Sequence, residues 1–181
     1  TQRGLYEHFK AIAEAVAVPQ ILYNVPGRTA VDMSNDTIVR LAELDNITGI
    51  TDATGDLDRG RELIQRCAEA IAVYSGDDPT AMELMLAGAQ GNISVTANVD
   101  PGLMTELCRL ALAVERSAAQ EINHRLTPLN EALLLEANPI PVKWAVSQMG
   151  YGDLNLRLPM TVLDEKFQQP LRQALLACSA L

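Results

Sequence analysis

Tyr23 and Arg28 bracket the hexapeptide YNVPGR, inside the stretch PQILYNVPGRT at residues 19–29. A tyrosine hydroxyl can pass or hold a proton, and an arginine offers a planar fork that matches a carboxylate. Together they outline a site for a small acid. The elements around them fix where such a site would lie. Residues 20–25 form a short β-branched and aromatic run suited to a buried strand, and Pro26-Gly27 stops it just before Arg28. Side chains alternate along a strand, so Ile21, Tyr23 and Val25 share one face while Leu22 and Asn24 take the other. A buried tyrosine in this run needs a partner for its hydroxyl. The same residues also fit a core tyrosine and a solvated loop arginine, the commoner arrangement.

The composition, 48% hydrophobic and 20% charged, is globular, and 181 residues suit one domain or one domain with an appendage. A formal net charge of −9, with no cluster of Lys and Arg, argues against nucleic acid as a partner. Cys67, Cys108 and Cys178 are odd in number, far apart and form no CxxC pair, which fits a reducing cytoplasm better than a disulfide scaffold or a zinc ribbon. No apolar run reaches the roughly 18 residues that span a membrane, and the start lacks the basic-then-apolar order of a signal peptide. The opening TQRGLYEHF, on Thr1 and directly at a helix start, reads as cut from something longer.

Along the chain, strand and helix alternate. Leu5, Phe9, Ile12 and Val16 form a helical stripe over residues 5–16 that leads into the first strand. Ser34, Asn35 and Asp36 supply caps for a helix to Leu44, residues 47–53 a weaker strand, residues 57–68 a third helix and residues 71–74 a third strand. Asp78 followed by Pro79 reads as N-cap and first helical residue of the next helix, which Gly88 ends. Residues 93–96 read as the fourth strand, and Asp100-Pro101 repeats the capping device for a helix to about Val114. Four alternations with short connections predict right-handed βαβ units and a parallel sheet. Beyond Ser117 only helices follow: a stripe of Ile122, Leu126, Leu129 and Leu133, a helix reopened by residues 138–141 that holds Lys143 and Trp144, and a last one at residues 166–178. The division expected is therefore residues 1–114 and a helical region, 115–181.

Several sharper readings fail. Gly55 to Glu62 has the glycine spacing of a phosphate loop but carries Arg61-Glu62 where Lys-Ser/Thr is needed. Asp77 and Asp78 lack further ligands at metal spacing, so capping is favoured and no metal is expected. His8 and His124 stand alone. The leucine stripe suits a covering helix better than a docking surface. What remains is the place where parallel sheets carry chemistry, the carboxyl ends of the strands.

At those ends stand ILYNVPGRT (21–29), GITDATGDL (49–57), YSGDD (74–78) and GNISVTANV (91–99), followed by NPIPVKWA (138–145). Together, in this order and spacing, they closely resemble the dihydrodipicolinate synthase (4-hydroxy-tetrahydrodipicolinate synthase) family over essentially the whole chain. The resemblance implies the second half of a (β/α)₈ TIM barrel, strands five to eight, plus the family's C-terminal helices; a whole barrel takes roughly 250 residues. In that family a lysine forms a Schiff base with pyruvate, without cofactor or metal, and the enamine adds to aspartate semialdehyde on the way to lysine and diaminopimelate. The resemblance gives Tyr23 the role of a proton-relay tyrosine, Arg28 that of the arginine holding a substrate carboxylate, and Gly76 and Ile93 places in the pyruvate pocket. A threonine and a second tyrosine of the relay belong to the half not represented. The Arg28 loop separates this family from its sialic-acid and sugar-acid aldolase relatives.

One departure outweighs these matches. The family's GIKEATG reads GITDATG here, placing Thr51 where the Schiff-base lysine belongs. A hydroxyl has no amine to condense with a ketone. The only lysines are Lys10, Lys143 and Lys166, one ahead of the first strand and two in the helical region. Three readings stay open: a lyase parent of which this is a cut or altered form, inactive as it stands; a degenerate non-catalytic half-barrel that binds or assembles, with itself or with a partner for the missing half; or a related keto-acid aldolase. The family is commonly tetrameric, so a homo-oligomer is expected.

Overall fold

The computed structural model describes residues 1–67 and 69–178. They form two compact units, Thr1–Ile93 and the residues from Ser94 onward. In the first, the chain runs through α1 (Gln2–Ala15), β1 (Gln20–Asn24), the single turn α2 (Pro26–Thr29), α3 (Asn35–Leu41), β2 (Ile47–Asp52), α4 (Leu57–Cys67), β3 (Ala72–Ser75), α5 (Asp78–Leu86) and β4 (Gly91–Asn92). The strands form one parallel sheet in the order β1-β2-β3-β4, each joined to the next by a crossover that carries a helix. This is the α/β alternation expected from the turn residues and apolar runs.

The two faces of the sheet differ. Leu22, Ile50 and Val73 lie on one face and are almost fully buried, with α4 and α5 packed on β3 and α3 on α4. Ile38, Leu41, Leu63, Met82 and Met85 complete that core. Burying each such side chain stabilises the fold by about 1.5–3 kcal/mol. α4 and α5 approach closely because position 60 is glycine: a Cβ there would stand 2.5 Å from Leu84 Cδ1. The phosphate-loop glycine thus serves helix packing. On the other face, Ile21 and Tyr23 are 53% and 54% exposed.

Two local expectations are corrected. The cap of α5 is Asp77, not Asp78: Asp77 is extended (φ −132°, ψ 105°) and its carboxylate accepts from the Thr80 N–H at 3.2 Å. Asp78 is the first helical residue and accepts instead from Asn92 Nδ2 at 2.7 Å, with Pro79 one place further in. The fourth strand is Gly91–Asn92 rather than residues 93–96. The Ile93 N–H still reaches Ser75 O at 2.8 Å, but Ser94 then accepts the Ala97 N–H on its hydroxyl at 2.9 Å, and the chain coils into a 3₁₀ turn, Thr96–Asn98. That side-chain bond to the backbone overrides the β-branched propensity of the run.

The second unit is helical: α6 (Pro101–Leu112), α7 (Arg116–Ala132), α8 (Ile140–Gln148) and α9 (Glu165–Ala177). Asp100 caps α6, accepting from the Leu103 N–H at 2.8 Å, as Asp-Pro predicts. Leu126, Leu129 and Leu133 of the predicted stripe are buried, Leu129 and Leu133 in a core with Trp144, Leu163, Leu171 and Leu175. Within it the Thr96 hydroxyl bonds Asn130 Oδ1 at 2.7 Å, so a buried polar pair is satisfied. No helix among the described residues is long and apolar enough to cross a membrane.

Candidate ligand site at the carboxyl end of the sheet

Parallel register partners point the same way, which places Tyr23 beside Thr51 and Thr51 beside Tyr74 on the face away from the helices. Thr51 is 5% exposed between its neighbours. Gly76, just past β3, closes against it: a Cβ at position 76 would lie 2.9 Å from both Thr51 Cγ2 and Ala53 Cβ, so no larger residue fits. At Gly91 a Cβ would meet the Tyr74 ring at 3.4 Å, an ordinary contact. Ile93, held by its bond to Ser75, is 58% exposed past the end of β4. Tyr23, Thr51, Gly76 and Ile93 therefore gather at the carboxyl ends of four adjacent strands.

Tyr23 itself is not buried, against the expectation that its hydroxyl would need an interior partner. It lies on the face opposite Leu22 and Ile50, and half of it is exposed. Arg28 follows on α2, a single turn opened by Pro26 and closed by Ala30 in the left-handed region at φ 55°. Its side chain is exposed. The local chain is shaped by Thr29, whose hydroxyl donates to Val31 O at 2.9 Å.

No strand residue of the sheet is a lysine. Lys10 lies on α1 in an ion pair with Glu14 at 3.7 Å, while Lys143 and Lys166 belong to α8 and α9. Among the described residues no group of three metal-binding side chains occurs.

On the helix side lies a polar cluster that the motif reading missed. Asn24 and Asp52, 3% and 4% exposed, follow Tyr23 and Thr51 directly and point the opposite way. Asn24 Nδ2 donates to Asp32 Oδ1 at 2.8 Å and to Asp52 Oδ1 at 3.1 Å, and its Oδ1 accepts the Met33 N–H at 3.0 Å. Asp52 Oδ2 accepts from the Thr54 hydroxyl at 2.6 Å. Arg59 of α4 joins the group, with Nε 3.5 Å from Asp52 Oδ1, Nη1 3.1 Å from Asp32 Oδ2, and Nη2 donating to Met33 O. A signal was present: two polar residues on the core-facing side of otherwise apolar strands must find partners.

A four-stranded parallel α/β sheet with its distinctive side chains at the strand ends defines the class. Within that class the profile of the dihydrodipicolinate synthetase family matches residues 1–178, and the chain belongs to this family. It is 62% identical over 175 residues to the 4-hydroxy-tetrahydrodipicolinate synthase of Stutzerimonas stutzeri, covering 97% of this chain and 60% of that protein. The enzyme of the same name from Thioalkalivibrio sulfidiphilus is 61% identical over 177 residues, covering 98% and 60%. Among solved structures, dihydrodipicolinate synthase from Acinetobacter baumannii, chloride inhibited and complexed with pyruvate, superimposes with a TM-score of 0.98 at 57% identity, covering all of this chain and 62% of that one. The synthase from Aquifex aeolicus gives 0.96 at 42% identity, covering 99% and 62%. The chain spans about three fifths of the length of these relatives.

Proposed function

We propose that this chain carries the second half, strands five to eight, of a (β/α)₈ barrel of the 4-hydroxy-tetrahydrodipicolinate synthase kind. Residues 1–114 count with the barrel and 115–181 with its helical region. The uncovered face of the sheet is then the barrel's interior wall, and Tyr23, Thr51, Gly76 and Ile93 line the pocket for pyruvate. Arg28, at the mouth, takes the carboxylate of the second substrate, aspartate semialdehyde. The relatives' lyase chemistry needs an amine: it condenses with the ketone of pyruvate, releases water, and lets a methyl proton leave to give the enamine that attacks the aldehyde carbon.

Thr51 closes that route, and it is the observation that carries the reading. The site keeps its carboxylate contact and its relay tyrosine but lacks the group that makes the covalent intermediate. The chain as it stands binds a keto acid or dicarboxylate without turning it over. The same observation supports the non-catalytic module, a half-barrel that associates with itself or with a complementary half. The cytoplasm, the reducing compartment suited to three cysteines that form no disulfide, is its proposed location. Titration with succinate, followed by heat or by NMR, tests the pocket. Arg28→Ala is expected to weaken binding by about 1.5–3 kcal/mol, the range for hydrogen bonds to charged groups. An affinity indifferent to Arg28 places the ligand elsewhere.

A further inference from the structure

We propose that Arg59 is a positioning residue for the loop that carries Arg28, and through it for the carboxylate site; the second half of this rests on the reading of Arg28 above. The loop, residues 25–33, leaves β1 at Asn24 and returns at Asp32 and Met33. Both ends meet one cluster. Asn24 binds Asp32 and the Met33 N–H, and Arg59 binds Asp32 and Met33 O. The side chains of Arg59 and Asp52 are 15% and 3% exposed, and Arg59 Nε reaches to 3.5 Å from Asp52 Oδ1. Asp52 is the residue after Thr51, and Asn24 the residue after Tyr23. One guanidinium thus links the end of β2 and the return of the loop to the first turn of α4, and the end of β1 joins the same cluster through Asn24.

A guanidinium suits this task and an ammonium does not. Arg59 donates to two acceptors, the Asp32 carboxylate and the Met33 carbonyl, while its charge faces the Asp52 carboxylate in an ion pair, and a planar fork with five N–H donors serves this set where a point charge holds one group at a time. Within the loop itself the bonds are local, Arg28 N and Thr29 N to Val25 O, Ala30 N to Pro26 O, and the Thr29 hydroxyl to Val31 O. The loop is tied to the rest of the unit at Asn24 on one side and at Asp32 and Met33 on the other, where Gln2 Nε2 of α1 also donates to Asp32 O at 2.7 Å.

Hydrogen exchange on the full chain, read by mass spectrometry of peptides, tests the clamp without any ligand. In Arg59→Met and in Asp32→Asn, residues 25–33 are expected to exchange about tenfold faster, while peptides from α7 and α9 keep their rates. Unchanged exchange at residues 25–33 in both variants overturns the proposal. Asp32 is half exposed and its loss leaves the Arg59–Asp52 pair in place, so Asp32→Asn decides the matter if Arg59→Met does not fold. Succinate titration separates positioning from general loosening. Arg59→Met is expected to weaken succinate about tenfold, Arg59→Lys less, and the effect to vanish in an Arg28→Ala background. Additive losses in the double variant overturn a role through Arg28. If the native chain takes up no succinate, the reading of Arg28 fails, and the exchange rates alone still decide whether Arg59 holds the loop.

Discussion

Tyr23 and Thr51 are register partners on adjacent parallel strands, side by side on the one face of the sheet left open by its helices. The proposed relay residue and the position of the missing amine are therefore immediate neighbours. Pyruvate with borohydride is expected to leave the intact mass of the chain unchanged, because reduction traps only an imine. A reduced adduct mapped to any residue of this site would sink the non-covalent reading.

Gly76 and Thr51 are expected to be energetically coupled. Gly76→Ala drives a methyl to 2.9 Å from Thr51 Cγ2 and Ala53 Cβ, and overpacking of this kind costs about 1–3 kcal/mol. Thr51→Ser removes one of the two opposing methyls and should recover part of the loss in a double-mutant cycle read by denaturant unfolding. Strict additivity would mean that the strand ends simply move apart.

The thiols should separate by burial. Burial pushes the thiols of Cys67 and Cys178 up from their ordinary value, so at a given pH less of each is thiolate. Cys108, less buried, is expected to alkylate first with iodoacetamide at neutral pH, and the lag of Cys67 and Cys178 to shrink as the pH is raised. Equal labelling of all three at neutral pH would show that the core opens freely.

The uncovered sheet face predicts association. Ile21, Tyr23 and Ile93 are each more than half exposed, and β1 and β4 each have a sheet neighbour on one side only among the described residues. Apolar surface and open strand edges favour pairing with a second chain, and two copies about a two-fold axis supply the eight strands that closure needs. Light scattering is expected to show mass rising between micromolar and millimolar concentration. A monomer that unfolds cooperatively and binds no hydrophobic dye would overturn the half-barrel assignment.

The fold was legible wherever side-chain chemistry acts locally. Asp100-Pro101 marked a true helix start, and the β-branched runs at β1 and β2 lay where expected. Asp77 and Asp78 were confused because proline is accepted at either of the first two helical positions, and only the backbone angles reveal which acid caps. Ser94 cut the fourth strand short by a bond that propensity does not see. For the site, the residues were legible and their environment was not. Alternation put Tyr23 opposite Leu22, but which face a helix would cover is decided by packing. The partners of Asn24 and Asp52 come from the loop and helix that follow each strand, and no local pattern announces them.

Thr51 and Asp52 are adjacent in sequence yet serve opposite sides of the sheet, one facing the proposed pocket and the other hydrogen-bonded to Asn24 and Thr54 and ion-paired with Arg59. A strand's two-residue period thereby insulates the proposed site position from the girders beneath it. Exchange of residue 51 can therefore be silent for the bonds of the far face, which run from Asp52 and Asn24 and stay as they were.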